Sequence, residues 1–173
     1  AGPAPVVATA GSMASFGVAR FVETFEDALR RSGKRGVLVA GWSTLPEGLV
    51  STERLHVTHE APYAPLFARA ACVLHHGGTG TVAEVLAAGA PSILLPQIAC
   101  QERFAELLVD QGIATGVFDA DRVEAKSLAD AITRAVEDDD VAARVRKWRD
   151  RVCAERGVDA AVDAIEGHRE ATA

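Results

Sequence analysis

The chain has 173 residues, enough for one domain with a sizeable core and too few for two. With 49% hydrophobic and 24% charged residues it has the balance of a soluble globular domain, and a formal net charge of −6 argues against a polyanionic partner. The closest approach to a basic patch, Arg144, Arg146, Lys147, Arg149 and Arg151, is broken by acidic and apolar residues and reads as a solvated helix face, not a nucleic-acid surface.

Ala1-Gly2-Pro3-Ala4-Pro5 is Pro-rich and has no Met, as expected of a linker remnant on a domain cut from a longer chain. It has neither the basic nor the apolar region of a signal peptide, and three cysteines at wide, unpatterned spacing read as reduced thiols of a protein expected in the cytoplasm. Val6 to Ala10 is a strand candidate, with Gly11-Ser12 as its turn. From Val18 to Arg31 the apolar residues Phe21, Val22, Phe25, Ala28 and Leu29 recur at helical spacing. Val37 to Ala40 is a second strand, ending at Gly41-Trp42, and Leu55 to Thr58 a third. A short helix around Pro65 to Arg69 leads to a fourth strand, Cys72 to His75. Thr81 to Ala88 is helical and stopped by Gly89 and Pro91. Ile93 to Leu95 is a fifth strand, Glu102 to Asp110 a helix capped by Gly112, and Ala114 to Phe118 a weaker sixth strand. Three helices follow, Ser127 to Val136, Val141 to Arg156 and Val158 to Glu166, with Ser127 as a candidate cap for the first.

Continuous apolar strands separated by helices predict an α/β domain: a doubly wound, Rossmann-like, six-stranded parallel sheet with helices on both faces. Residues 1–173 form a single domain in this reading, with 126–173 as C-terminal helices. Ligands of such sheets bind beyond the carboxyl ends of the strands. The segments expected there are Gly11-Ser12, Gly41-Trp42, His59 to Tyr63, His75 to Thr81 and Pro96 to Gln101.

The stretch from His75 to Thr81, HHGGTGT, joins a strand to a helix through glycines. Free N–H groups at a helix N-terminus, with roughly half a positive charge from the dipole, suit phosphate. Glycine lets oxygens approach the backbone, and Thr79 and Thr81 can add hydroxyl donors. His76 is placed to donate to a phosphate oxygen, whereas His75 at the strand end reads as an interior residue.

Other chemistries fit less well. Gly78 to Ala83 matches the dinucleotide fingerprint G-x-G-x-x-A, but the next strand ends Leu94-Leu95-Pro96-Gln97 without the ribose-binding acid of a nicotinamide-dependent dehydrogenase. Asp138-Asp139-Asp140 contains D-x-D, a metal-holding pattern in some sugar transferases, but lies between helices, where a charged first helical turn explains it better. Cys72, Cys100 and Cys153 form neither a disulfide framework nor a zinc site. His56 and His59 have no accompanying carboxylate pair, and Ser12 has no nucleophile-elbow pattern. No run reaches the ~18–20 apolar residues of a membrane span.

The HHGGTGT turn followed by AEVLAAGAPSILLPQIACQ resembles the carboxyl-terminal half of nucleotide-sugar-dependent glycosyltransferases of the GT-B fold. Bacterial enzymes that decorate natural products are nearest in pattern, with plant and animal UDP-glycosyltransferases further off. The resemblance runs from Val6 to about Phe118 and rests on a histidine-glycine turn, a helix ending Ala-Gly-x-Pro, a strand ending in Pro and a Gln soon after.

That resemblance implies a donor-binding domain for a TDP- or UDP-sugar. His76 and Gly78, Thr79, Gly80 and Thr81 would hold the diphosphate, with His76 stabilising the leaving group. Glu84 falls where plant enzymes place a ribose-binding glutamate, or is an exposed helix carboxylate. Ser12 matches a Gly-Ser loop that approaches the phosphates, and Ala61-Pro62 the loop against which the base packs. Trp42 lines that pocket from the other side or fills the core. Glu60 stands where plant enzymes stack a tryptophan. Cys100-Gln101 stands where the family often has an acid before Gln; Gln101 remains a sugar contact, and loss of the acid fits a deoxysugar donor. The implied reaction is inverting and needs neither cofactor nor metal. The family's acceptor site and catalytic base lie in an amino-terminal domain, so this chain alone is expected to be inactive. It is expected to work with that domain, in the same or a partner chain, on a small-molecule acceptor; the alternative is a nucleotide-sugar-binding module active only with a separate chain.

Overall fold

Apolar runs with no polar face must be covered on both sides, and the chain does this with one parallel sheet between helical layers. The computed structural model describes residues 2–9, 17–41, 43–45, 47 and 49–171. In chain order these form β1 (Val6–Thr9), α1 (Val18–Ser32), β2 (Gly36–Val39), β3 (Leu55–Thr58), α2 (Tyr63–Phe67), β4 (Cys72–His75) and α3 (Thr79–Ala88). Then come β5 (Ser92–Leu94), α4 (Ala99–Asp110), β6 (Ala114–Val117), α5 (Ala125–Glu137), α6 (Asp139–Ala154) and α7 (Gly157–Ala171). The strands form one six-stranded sheet in the order β3-β2-β1-β4-β5-β6, every pair parallel. The α/β doubly wound architecture expected from the sequence is the one observed.

Alternation along the central strands divides the core. Val6 and Ala8 of β1 and Leu74 of β4 face Phe21, Phe25 and Leu29 of α1 and Leu128 and Ile132 of α5. Val7 and Val73 point the other way, onto Phe67 of α2 and Val85 of α3. Further along that second face Leu94 packs with Leu108 of α4 and Val141 and Val145 of α6. Phe21 and Phe25 stack with ring centroids 5.9 Å apart. Burying one such side chain contributes about 1.5–3 kcal/mol, so the α1 face is a principal source of stability.

Helix onsets differ from the periodicity reading. α3 begins at Thr79 instead of Thr81, and α4 at Ala99 instead of Glu102. Thr79, Gly80, Ala99 and Cys100 are exposed, so no apolar spacing marks these first turns. Ser127 does not cap α5: the helix starts at Ala125 with Glu124 in the cap position, and Ser127 is an exposed residue inside it. The C-terminal helical region therefore opens at Ala125, and α7 runs on past Glu166 to Ala171. Gly112 takes a left-handed conformation (φ 65°) one residue beyond Gln111, the C-cap residue of α4, where a helix-ending glycine is expected.

The aspartate run is a helix start. Asp138 Oδ1 accepts from the N–H groups of Asp140 (2.9 Å) and Val141 (3.1 Å), with Asp139 and Asp140 in the first turn of α6. Among the described residues no group of three or more His, Cys, Asp or Glu is placed to hold a metal, and no helix is long and apolar enough to cross a membrane. Asp138→Ala should lower stability by about 1 kcal/mol, with most of it retained in Asp138→Asn, as read from the midpoint of urea unfolding.

Candidate functional site

The sheet order turns back between β1 and β4, and the chain leaves these neighbours on opposite faces: β1 leads to α1, β4 to α3. A crevice at the carboxyl ends of such a strand pair is where doubly wound sheets bind ligands. The β4–α3 turn lies on its edge. Gly77 has φ 86°, a left-handed conformation, and a Cβ there would come within 3.2 Å of the Gln101 carbonyl oxygen. Only glycine lets the turn pass that close to α4.

Gly78 is the N-cap residue of α3, and neither a capping side chain nor a first-turn acid answers its N–H groups. The backbone donors of Thr79, Gly80 and Thr81 therefore stand at the positive end of a helix dipole with no intrahelical partner. Thr79 and Gly80 are exposed, and a Cβ built on Gly80 meets nothing within 4 Å. Thr81 is 9% exposed, its side chain turned toward the core side of the turn.

The two histidines have different surroundings. His75 is fully buried; the Gly77 N–H donates to its Nδ1 (3.3 Å), so its Nε2–H donates to Ser92 Oγ (3.1 Å). Burial, with a smaller push from His76, drives its pKa down to about 3, and the ring is neutral and committed to the turn. His76 is half-buried, and its pKa is also lowered by burial. A Cβ at residue 78 would collide with His76 Nε2, so glycine there lets the imidazole lie against the start of α3. Nδ1 of His76 is buried without a hydrogen-bond partner among the described residues. A buried polar nitrogen left unpaired costs on the order of 1–3 kcal/mol; the other ring nitrogen, Nε2, is the one that lies against the uncapped start of α3.

Glu84 is exposed on α3, one turn beyond Gly80. Gln101 is 3% exposed, and its Oε1 accepts from the Gln97 N–H (2.8 Å), so this side chain shapes the 96–101 loop; Cys100 beside it is exposed. Leu95 N–H donates to the His75 carbonyl (2.9 Å), joining that loop to the histidine turn. At the ends of β2 and β3 a cavity of about 470 Å³ is lined by Val39, Gly41, His59, Glu60, Ala61 and Tyr63 among others. Gly41 N–H donates to the His59 carbonyl (3.0 Å), and His59 Nδ1 donates back to the Gly41 carbonyl (3.2 Å). The structure thus brings together His76, Gly78 to Thr81 and the Gln101 loop on one side, and the Ala61 loop on the other. Ser12 and Trp42 lie outside the described residues.

Over residues 43–165 the sequence matches the family described as Erythromycin biosynthesis protein CIII-like, C-terminal domain. The chain belongs to this family. It is 36% identical over 167 residues to O-mycaminosyltylonolide 6-deoxyallosyltransferase of Streptomyces fradiae, covering 95% of this chain and 38% of that protein. It is 39% identical over 116 residues to vancomycin aglycone glucosyltransferase of Amycolatopsis orientalis, covering 65% of this chain and 27% of that one. CalG4, the calicheamicin glycosyltransferase, superposes with a TM-score of 0.83 at 27% identity, over 98% of this chain and 44% of its own. The glycosyltransferase of kitacinnamycin gives 0.83 at 28%, over 96% and 43%. The chain therefore has the Rossmann-like half of a GT-B fold, and it spans less than half the length of these glycosyltransferases.

Sequence reasoning named the Ala61 loop but gave no separate role to Thr9 or Tyr63, which meet at the carboxyl end of β1: Thr9 Oγ1 and Tyr63 Oη are 2.6 Å apart. The one signal available was that Tyr63 is the chain's single tyrosine.

The neutral His75 makes a pH prediction. Its folded pKa lies below the unfolded value, so the unfolded state binds the extra proton between the two. The contribution is complete above the unfolded pKa and is lost as pH falls toward 3. From pH 7 to pH 5 this group alone should cost about 2 kcal/mol of stability, read by urea unfolding at each pH. His75→Gln, with donor and acceptor but no titrating ring, should show a shallower dependence.

Proposed function

We propose that this chain is the nucleotide-sugar donor-binding half of an inverting, metal-independent glycosyltransferase. The protein moves a sugar, a deoxysugar on the reading of Cys100, from a TDP- or UDP-sugar to a hydroxyl of a small-molecule acceptor such as a natural product. The observation that carries the proposal is the uncapped N-terminus of α3 with the His76 ring lying against its cap residue, Gly78, through Nε2. Together they form a set of donors awaiting an anion, at the sheet edge where this fold binds ligands.

In this reading the acceptor oxygen attacks the anomeric carbon as the bond to the diphosphate oxygen breaks on the opposite side. Charge builds on the leaving diphosphate, where the N–H groups of Thr79 to Thr81 and His76 stabilise it. Preorganised donors of this kind are typically worth about 3–4 kcal/mol of transition-state energy each. The acceptor proton leaves to a base in an amino-terminal acceptor domain, of the same or a partner chain. Glu84 meets the ribose hydroxyls one turn along α3, and the base enters the cavity at Ala61. Gln101 offers its amide nitrogen to the sugar. Cys100, a weaker acceptor than the acid it replaces, favours a sugar with fewer hydroxyls; the relative from Streptomyces fradiae is named a 6-deoxyallosyltransferase, which supports that choice.

Calorimetric titration tests the phosphate site. The chain should bind UDP or TDP, and His76→Ala should bind at least about tenfold more weakly; no binding by the parent, or equal binding by both, overturns the role given to His76. Gly80→Ala separates binding from folding. A Cβ there is free of contacts and should leave the melting temperature unchanged or raised, by up to about 1 kcal/mol in stability. It should nevertheless weaken the nucleoside diphosphate, because the methyl stands where phosphate oxygens approach.

A further inference from the structure

We infer that Thr9 and Tyr63 are a positioning pair that holds the nucleoside pocket in place against the diphosphate turn. The inference rests on the donor-binding reading above and adds residues and a mechanism to it. Tyr63 opens α2 and forms part of the wall of the cavity at the ends of β2 and β3. Its ring is fixed from two directions. Phe67 stacks on it with centroids 4.8 Å apart, and Phe67 itself is 1% exposed in the core beneath. Its hydroxyl is bonded at 2.6 Å to Thr9 Oγ1, and Thr9 is 4% exposed at the last position of β1.

The place of Thr9 gives this bond its meaning. β1 lies between β2, whose end borders the cavity, and β4, whose end carries the histidine turn. β1 is also the strand at which the sheet order turns back. A hydrogen bond from its final residue to α2 therefore ties the wall of one subsite to the strand that borders the other. Nothing else among the described hydrogen bonds joins α2 to the end of β1. The rest of the 59–63 loop is linked to β2 through Gly41 and His59. Stacking on Phe67 holds the Tyr63 ring in its plane; the bond to Thr9 sets how far it reaches toward the crevice.

The pair is thus not a chemical participant. A nucleoside diphosphate has its base and its phosphates at a fixed separation, and a wall free to drift costs binding of the whole ligand without harming the phosphate subsite. Pyrophosphate, which needs only the α3 turn, is the internal control.

The test is calorimetry with UDP, TDP and inorganic pyrophosphate on the parent chain, Tyr63→Phe, Thr9→Val, Thr9→Ser and the double variant Thr9→Val/Tyr63→Phe. Loss of one neutral hydrogen bond should weaken the tighter of the two nucleoside diphosphates about three- to tenfold in Tyr63→Phe and in Thr9→Val. Thr9→Ser, which keeps the hydroxyl, should restore it, and the double variant should lose no more than either single one. Pyrophosphate affinity should be the same in all. Additive losses in the double variant, unchanged nucleoside diphosphate binding, or an equal fall for pyrophosphate would each overturn the inference. Absence of all binding by the parent chain would instead overturn the donor-site reading. Thermal melts of each variant show that a weaker binder is still folded.

Discussion

A parallel sheet covered on both faces can offer its backbone to a ligand only at the strand ends, and every functional feature of this chain follows from that restriction. β1 and β4 are buried at each position, so neither can present a side chain through a face of the sheet. Because their following helices pack on opposite faces, the carboxyl ends of these neighbours part and leave a crevice. The glycine turn, the α4 loop and the α2 loop are brought to that edge by topology, although they are far apart in the chain.

The two adjacent histidines show how the same residue type is put to different uses by one peptide step. Alternation along β4 turns His75 into the sheet's second layer, where a backbone N–H and Ser92 use both ring nitrogens. His76, one residue on, has left the strand. Its ring lies against Gly78 through Nε2, with Nδ1 buried and without a hydrogen-bond partner among the described residues. Glycine at 77 serves backbone conformation and close approach, and glycine at 78 makes room for the ring, while glycine at 80 leaves space at the helix end. Three glycines in one short turn therefore answer three different steric demands.

Much of this was legible in the residues. β3 and β4 fall where the apolar runs placed them, β1 does so over its described residues, β2 and β5 are displaced by a single position and β6 is shortened by one, because continuous apolar runs bounded by turn residues have few other readings. The histidine-glycine turn was legible for a similar reason: glycines, hydroxyls and a helix start lie next to one another in the chain. Helix onsets were less so, since the first turns of α3 and α4 are exposed and carry no apolar period. Ser127 had the chemistry of a cap but not the position, which is set by where the loop after β6 delivers the chain. Gln101 was marked as a contact for sugar, but how much of its side chain the loop would consume depended on the path of residues 96–101.

The sequence by itself determined the fold class, the strand that delivers the histidine turn and the glycine turn with its adjoining helix start, because each rests on short-range pattern: apolar runs, period and adjacent functional groups. It also carried the family pattern. Only the tertiary structure decided which groups take up the two ring nitrogens of His75, which residues wall the cavity at the ends of β2 and β3, and that Thr9 reaches Tyr63. Those depend on which strands become neighbours and which face each side chain takes, and contacts between residues 54 positions apart leave no local trace in a single chain.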